Sequence, residues 1–196
     1  AAIAPRLVSV WVIWGSTYLG LAVLVQTLPP LLTNGIRFLI AAGILGLGLI
    51  VFRGVRTLAV TARQLRSATT MGVALLGVGI GTVSMAERFV PSGITALLVS
   101  VMPLWIIIFR LHAGDRPSRR TLAGVAVGMT GLAAMLLPGG TAPVDGGDGD
   151  VVRWSVAIIV GSFIWAYFSW RSSGFDLPRD PLTTTFYEMI VAGVFL

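Results

Sequence analysis

The chain has 196 residues, 56 % of them hydrophobic and only 11 % charged, with a mean hydropathy of +0.91. A soluble domain carries about a quarter charged residues, so this composition excludes a globule that covers itself in water and makes the lipid bilayer its natural solvent. The absence of cysteine excludes disulfides and thiolate metal sites. The net charge of +6 comes from arginines at the ends of apolar runs, a pattern of membrane orientation rather than of nucleic-acid binding.

Seven apolar segments follow one another, at about 7–25, 31–52, 68–86, 91–111, 120–138, 152–170 and 181–196. Most approach the roughly 20 residues that a helix needs to cross the hydrocarbon core. The alternation of a membrane strand is absent. The expected fold class is all-α, a polytopic bundle of transmembrane helices.

In the first segment Trp11, Trp14, Gly15 and Tyr18 share one helical face. Trp14 and Tyr18 are candidates for an aromatic cavity wall, while interfacial anchoring suits Trp11. The second segment holds one charge, Arg37, between Leu31 and Phe52. Embedded charges usually face the protein interior. Arg37 is expected to bond helix-end carbonyls and hydroxyls, with a substrate contact or a pair with Glu188 as alternatives.

The third segment is rich in glycine. Gly77 and Gly81, like Gly124 and Gly128 in the fifth, make small-xxx-small pairs that let helices approach closely. Ser84, near the end of the third, is a candidate cavity residue. Pro103 breaks the fourth segment in LLVSVMPLWIII, and such breaks often border a transporter's site. Trp105 follows it. The DGGDGD stretch at 145–150 has the wrong acid spacing for a calcium loop. His112 lies at a helix end without a second ligand. No phosphate loop, paired carboxylates or serine–histidine–carboxylate set is assembled, so neither an enzyme, a cofactor nor a metal is expected.

The connections alternate in charge. Eleven arginines (Arg6, Arg53, Arg56, Arg63, Arg66, Arg110, Arg116, Arg119, Arg120, Arg171 and Arg179) fall on one side, and Arg88 and Arg153 on the other. The positive-inside rule then puts the N-terminus and the arginine-rich loops in the cytoplasm.

A shift of 151 residues sets Ile13, Trp14, Pro30, Leu31, Thr33 and Ala41 on Ile164, Trp165, Pro181, Leu182, Thr184 and Ala192. Arg37 falls on Glu188, at a similar depth from the opposite surface. Five spans separate the two copies, so the second runs inverted. The expected organisation is a first five-helix repeat at 1–139, a loop at 140–151, and the first two helices of a second repeat at 152–196. The run EMIVAGVFL closes the chain in mid-segment and no methionine opens it, so a longer protein with ten helices in about 300 residues is expected.

The succession WVIWGSTY, GIRFLIAAG, PSGITALLVSVMPLW and GDRPSRRTLAGVAVGMTGLAAMLL resembles the EamA-type transporters of the drug/metabolite transporter superfamily. The resemblance covers nearly the whole chain. It implies ten helices in two inverted repeats, a central cavity, and export of small metabolites.

The function expected from these readings is a secondary transporter that exports small metabolites or amphipathic compounds across the inner membrane by alternating access. A membrane-embedded scaffold or channel-like protein is the alternative. The candidate substrate-binding residues are Trp14, Tyr18, Arg37, Ser84, Pro103, Trp165 and Glu188. Expected partners are a small-molecule substrate and the lipid bilayer, with no nucleic acid, the protein being a monomer or homodimer.

Overall fold

A computed structural model describes residues 5, 7–13, 16, 20, 28–136 and 147–196. Helical residues at 7–13 are followed by six helical elements: α1 (Pro30–Arg53), α2 (Ala62–Ala86), α3 (Ser92–His112), α4 (Arg119–Leu136), α5 (Asp148–Arg171) and α6 (Pro181–Phe195). No strand occurs among the described residues, as the sequence pattern requires. Four of these helical stretches, at α1, α2, α3 and Gly149–Gly174, are long and apolar enough to cross a membrane. Leu32, Ile36, Ile40, Ile44 and Leu47 of α1 are exposed, a face suited to lipid tails rather than to water.

Local chemistry explains where the helices start. Proline opens α1 and α6, where its missing N–H costs nothing. α2 begins six residues before its apolar run because Thr61 and Gln64 form a reciprocal capping box, at 3.2 and 3.0 Å. Arg63 and Arg66 therefore sit on a polar first turn instead of in the preceding loop. α5 likewise starts before its apolar run, and Asp150 and Arg153 pair across its first turn at 3.0 Å.

α2 is the central helix. Ser84, near its C-terminal end, meets Asn34, near the start of α1, so these two run antiparallel. Gly79 lies under the Trp165 ring and Gly161 against Thr82, so α5 is also antiparallel to α2. α6 fits between α1 and α2. A Cβ on Gly72 would lie 2.7 Å from the Glu188 carbonyl oxygen, and one on Gly35 would lie 2.9 Å from that of Gly193. The chain winds as a π-helix over Gly72–Ile80, the stretch whose glycines let α5 and α6 this close.

α3 packs on α5 through aromatic rings. Trp105 and Phe109 each stand edge-on to Phe163 at 5.3 Å, and Phe109 also meets Tyr167 at 5.7 Å. The break in α3 falls where Pro103 requires it. Helical bonding loosens at Ser100, whose N–H is shared between the Ala96 and Leu97 carbonyls, and at Val101, whose N–H donates to Leu98 three residues back.

The direction of α6 tests the repeat. Gly35 of α1 meets Gly193, Gly46 meets the Phe186 ring, and Arg53 meets Asp180. α1 and α6 are the second helices of the two matched units, and they run in opposite directions, as inverted units must. One packing expectation is corrected. Gly77 abuts the Phe195 ring and Gly81 a Leu196 methyl, but no atom approaches within 4 Å of a Cβ built on Gly124 or Gly128. Among the described residues the small-residue face of α4 meets no partner helix.

Candidate functional site

Three polar or aromatic clusters lie along the central helix. The first is at the end of the bundle away from the arginine-rich loops. There the Asn34 amide donates to the Ser84 hydroxyl at 2.6 Å and to the Pro30 carbonyl at 3.0 Å, while Ser84 donates back to Ile80 at 2.8 Å. Asn34 is 1 % exposed and Ser84 fully buried. Glu87 follows Ser84 by three residues, so it projects from nearly the same face of α2. It is 4 % exposed, and both its carboxylate oxygens are buried without a hydrogen-bond partner, as is Asn34 Oδ1.

Arg37 is the charge that answers Glu87. The two are within electrostatic reach but form no ion pair within 4.0 Å. Burial pushes the Glu87 carboxyl up to about 7, with the Arg37 charge pulling the other way. The guanidinium lies over the Phe38 ring at 5.1 Å. Arg37 makes no hydrogen bond among the described residues, so the expected helix-end clamp is not seen there. Asn34 takes that role because it lies one turn nearer the end of α1 and reaches Ser84 directly.

The second cluster lines a cavity of about 20 Å³ between α2, α3 and α5, formed by Gly79, Val83, Met102, Ser162 and Trp165 among others. Such a space holds little more than one water molecule.

The third cluster is at the arginine-rich end, where α1 and α6 meet across the linkers 54–61 and 175–180. Arg53 pairs with Asp180 at 2.7 Å. Thr183 donates to the Thr57 carbonyl at 3.2 Å, and Tyr187 donates to that of Leu58 at 2.6 Å. A cavity of about 340 Å³ opens there, lined by Thr57, Gln64, Pro178, Arg179, Asp180 and Thr183 among others. Desolvation pushes the Asp180 carboxyl up, but hydrogen bonds from Arg53 and the Leu182 N–H outweigh it and hold the group below its ordinary range.

These positions do not converge on one chamber among the described residues. Arg37 and Ser84 belong to the first cluster and Trp165 to the second. Glu188 stands on α6 against Gly72, seven residues from the start of its helix, and makes no hydrogen bond or ion pair among the described residues. Pro103 is exposed. Trp14 and Tyr18 lie outside the described residues. Asn34 and Glu87 were not singled out as site residues. A signal for them exists in the sequence: Asn34–Arg37 and Ser84–Glu87 are polar pairs at i, i+3 spacing near facing helix ends.

Comparison with known proteins gives this arrangement its context. Residues 6–137 match the model of the EamA-like transporter family. The chain is 37 % identical over 192 residues to the uncharacterized inner membrane transporter YedA of Escherichia coli K12, covering 97 % of this chain and 59 % of that protein. It is 32 % identical over 128 residues to the uncharacterized transporter YoaV of Bacillus subtilis, covering 64 % and 43 %. It is 26 % identical over 125 residues to the protein PagO of Salmonella typhimurium, covering 63 % and 40 %. The chain thus spans less than two thirds of the length of these relatives. No solved structure matches it.

Proposed function

We propose, since the chain belongs to the EamA-like transporter family, that it is part of a secondary transporter of the inner membrane that exports small metabolites or amphipathic compounds by alternating access. The arginine-rich end faces the cytoplasm in this reading. The observation that carries it is the junction between α1 and α6. Two oppositely directed helices are joined there by Arg53–Asp180, whose side chains are 50 % and 27 % exposed, and by two hydrogen bonds to linker carbonyls. Exposed ion pairs add little net stability, so the Arg53–Asp180 pair opposes separation of this end only weakly. The cavity of about 340 Å³ beside it is within the size range of small-molecule sites. Opening of the junction admits cargo from the cytoplasm, and closure precedes release on the other side.

The test is uptake of a panel of radiolabelled metabolites and amphipathic dyes into inside-out vesicles. Saturable uptake above that of empty vesicles, accelerated by unlabelled compound on the far side, supports a carrier. Flux that never saturates and shows no such exchange identifies a channel-like protein. No flux of any compound leaves a scaffold.

A further inference from the structure

We infer that Glu87, at the end of α2, is a proton-binding site, with Arg37 of α1 as the charge that compensates it when it ionises. Both Glu87 oxygens are buried and lack a donor. A buried carboxylate in that state is costly unless it is paired, protonated or supplied with donors by a ligand. Direct pairing is absent, because Arg37 stays beyond ion-pair distance.

The surroundings distinguish the remaining choices. A bound metal cation is opposed by the neighbouring guanidinium, and a bound anion by the carboxylate itself. Neither cavity described above includes Glu87 in its lining, and both its oxygens are buried. A proton needs no cavity. It converts one oxygen into a donor, and an acceptor without a donor, Asn34 Oδ1, belongs to the same cluster. Burial puts the titration near neutrality.

Among the described side chains the other charges around the site are few; those of Asp145 and Asp148, before and at the start of α5, are not among them. Arg88, next along the chain, is exposed. On α5, Arg153 is held by Asp150. The first turns of α3 bring no ionisable group, and Arg110 and His112 stand at its far end. On α6, Glu188 lies against Gly72, fifteen residues back along α2. Tyr18, the titratable residue of 14–27, lies outside the described residues.

The proton comes from water on the side of the membrane that the α2–α3 turn faces, and it returns there on ionisation. The resulting carboxylate then attracts Arg37 and draws α1 toward the end of α2. If the transport reading holds, on which this consequence alone rests, the charge change couples the cycle to the pH on that side.

Infrared difference spectra, recorded between acidic and alkaline pH on the protein in vesicles, test the site without any substrate. The expected result is a protonated-carboxyl band titrating near neutrality that disappears in Glu87→Gln and persists in Glu188→Gln. Arg37→Gln should move the midpoint to higher pH, because it removes the charge that favours the ionised form. Persistence of that band in Glu87→Gln would overturn the assignment, as would an unmoved midpoint in Arg37→Gln. Should Glu87→Gln not fold, the Arg37→Gln midpoint decides alone. In the vesicle assay, Glu87→Gln should abolish the response of uptake to a pH gradient. Uptake absent in the wild type with the infrared titration intact would sink the transport reading and leave the proton site standing.

Discussion

The two ends of the helix bundle are held by opposite kinds of contact. At the arginine-rich end, a partly exposed ion pair and two part-buried hydroxyl bonds join α1 and its linker to α6, across the two matched units. At the other end, a buried amide–hydroxyl bond joins α1 to α2 within one unit, beside a buried carboxylate that no donor reaches. In water an exposed ion pair is nearly neutral in free energy, whereas a buried donor that loses its partner bears the whole desolvation penalty. The first end is therefore suited to opening and closing. The second is suited to holding α1 against α2, with its one movable charge set by protonation.

The largest expected effects come from the buried contacts. Gly72→Ala places a methyl carbon 2.7 Å from the Glu188 carbonyl oxygen and 2.8 Å from its Cα. These are backbone atoms that cannot turn aside, so overpacking of about 1–3 kcal/mol is expected. Ser84→Ala removes the acceptor of the buried Asn34 amide and should cost about 1–3 kcal/mol. Both are read as loss of thermal stability in detergent. A Ser84→Ala protein that melts like wild type would erase the distinction between the two ends.

The sequence announces much of this fold and less of its polar detail. Apolar runs and arginine asymmetry are properties of whole segments, so the bundle and the direction of α6 are legible from them. The start of α2 lies outside its apolar run because the Thr61–Gln64 cap precedes that run. Gly77 and Gly124 carry the same spacing signal, yet among the described residues only the first has a neighbouring helix against it. Composition records that a helix offers a smooth face and not whether another helix arrives. Arg37 stood out as a lone charge, but its response to Glu87 depends on how α1 and α2 cross, which no local pattern states.

Smaller effects sharpen the contrast. Gly124→Ala meets open space and replaces a helix-interior glycine, so it should gain about 0.5–1 kcal/mol in the same melting assay. A loss there would mean that α4 is packed. Arg53→Ala should lower the melting temperature less than Ser84→Ala does, because the pair it breaks is exposed. The weakest effect is that of acid. The carboxyl of Asp180 is held below its ordinary range, so its contribution is fully present above the ordinary carboxylate pKa and is lost as pH falls through the lower folded value. Accessibility of a cysteine placed at Thr57 should rise over that acid range in wild type and be already high in Asp180→Asn. An equal acid response in both would remove Asp180 from the junction.

The most direct measurement locks the arginine-rich end. The chain has no cysteine, so Arg53→Cys combined with Asp180→Cys introduces a single thiol pair across the α1–α6 junction. The vesicle uptake assay is then run on the oxidised and the reduced protein, with cross-linking checked by thiol counting. Alternating access requires uptake to stop when the cross-link forms and to return on reduction. Undiminished uptake by fully cross-linked protein would contradict an opening at this junction.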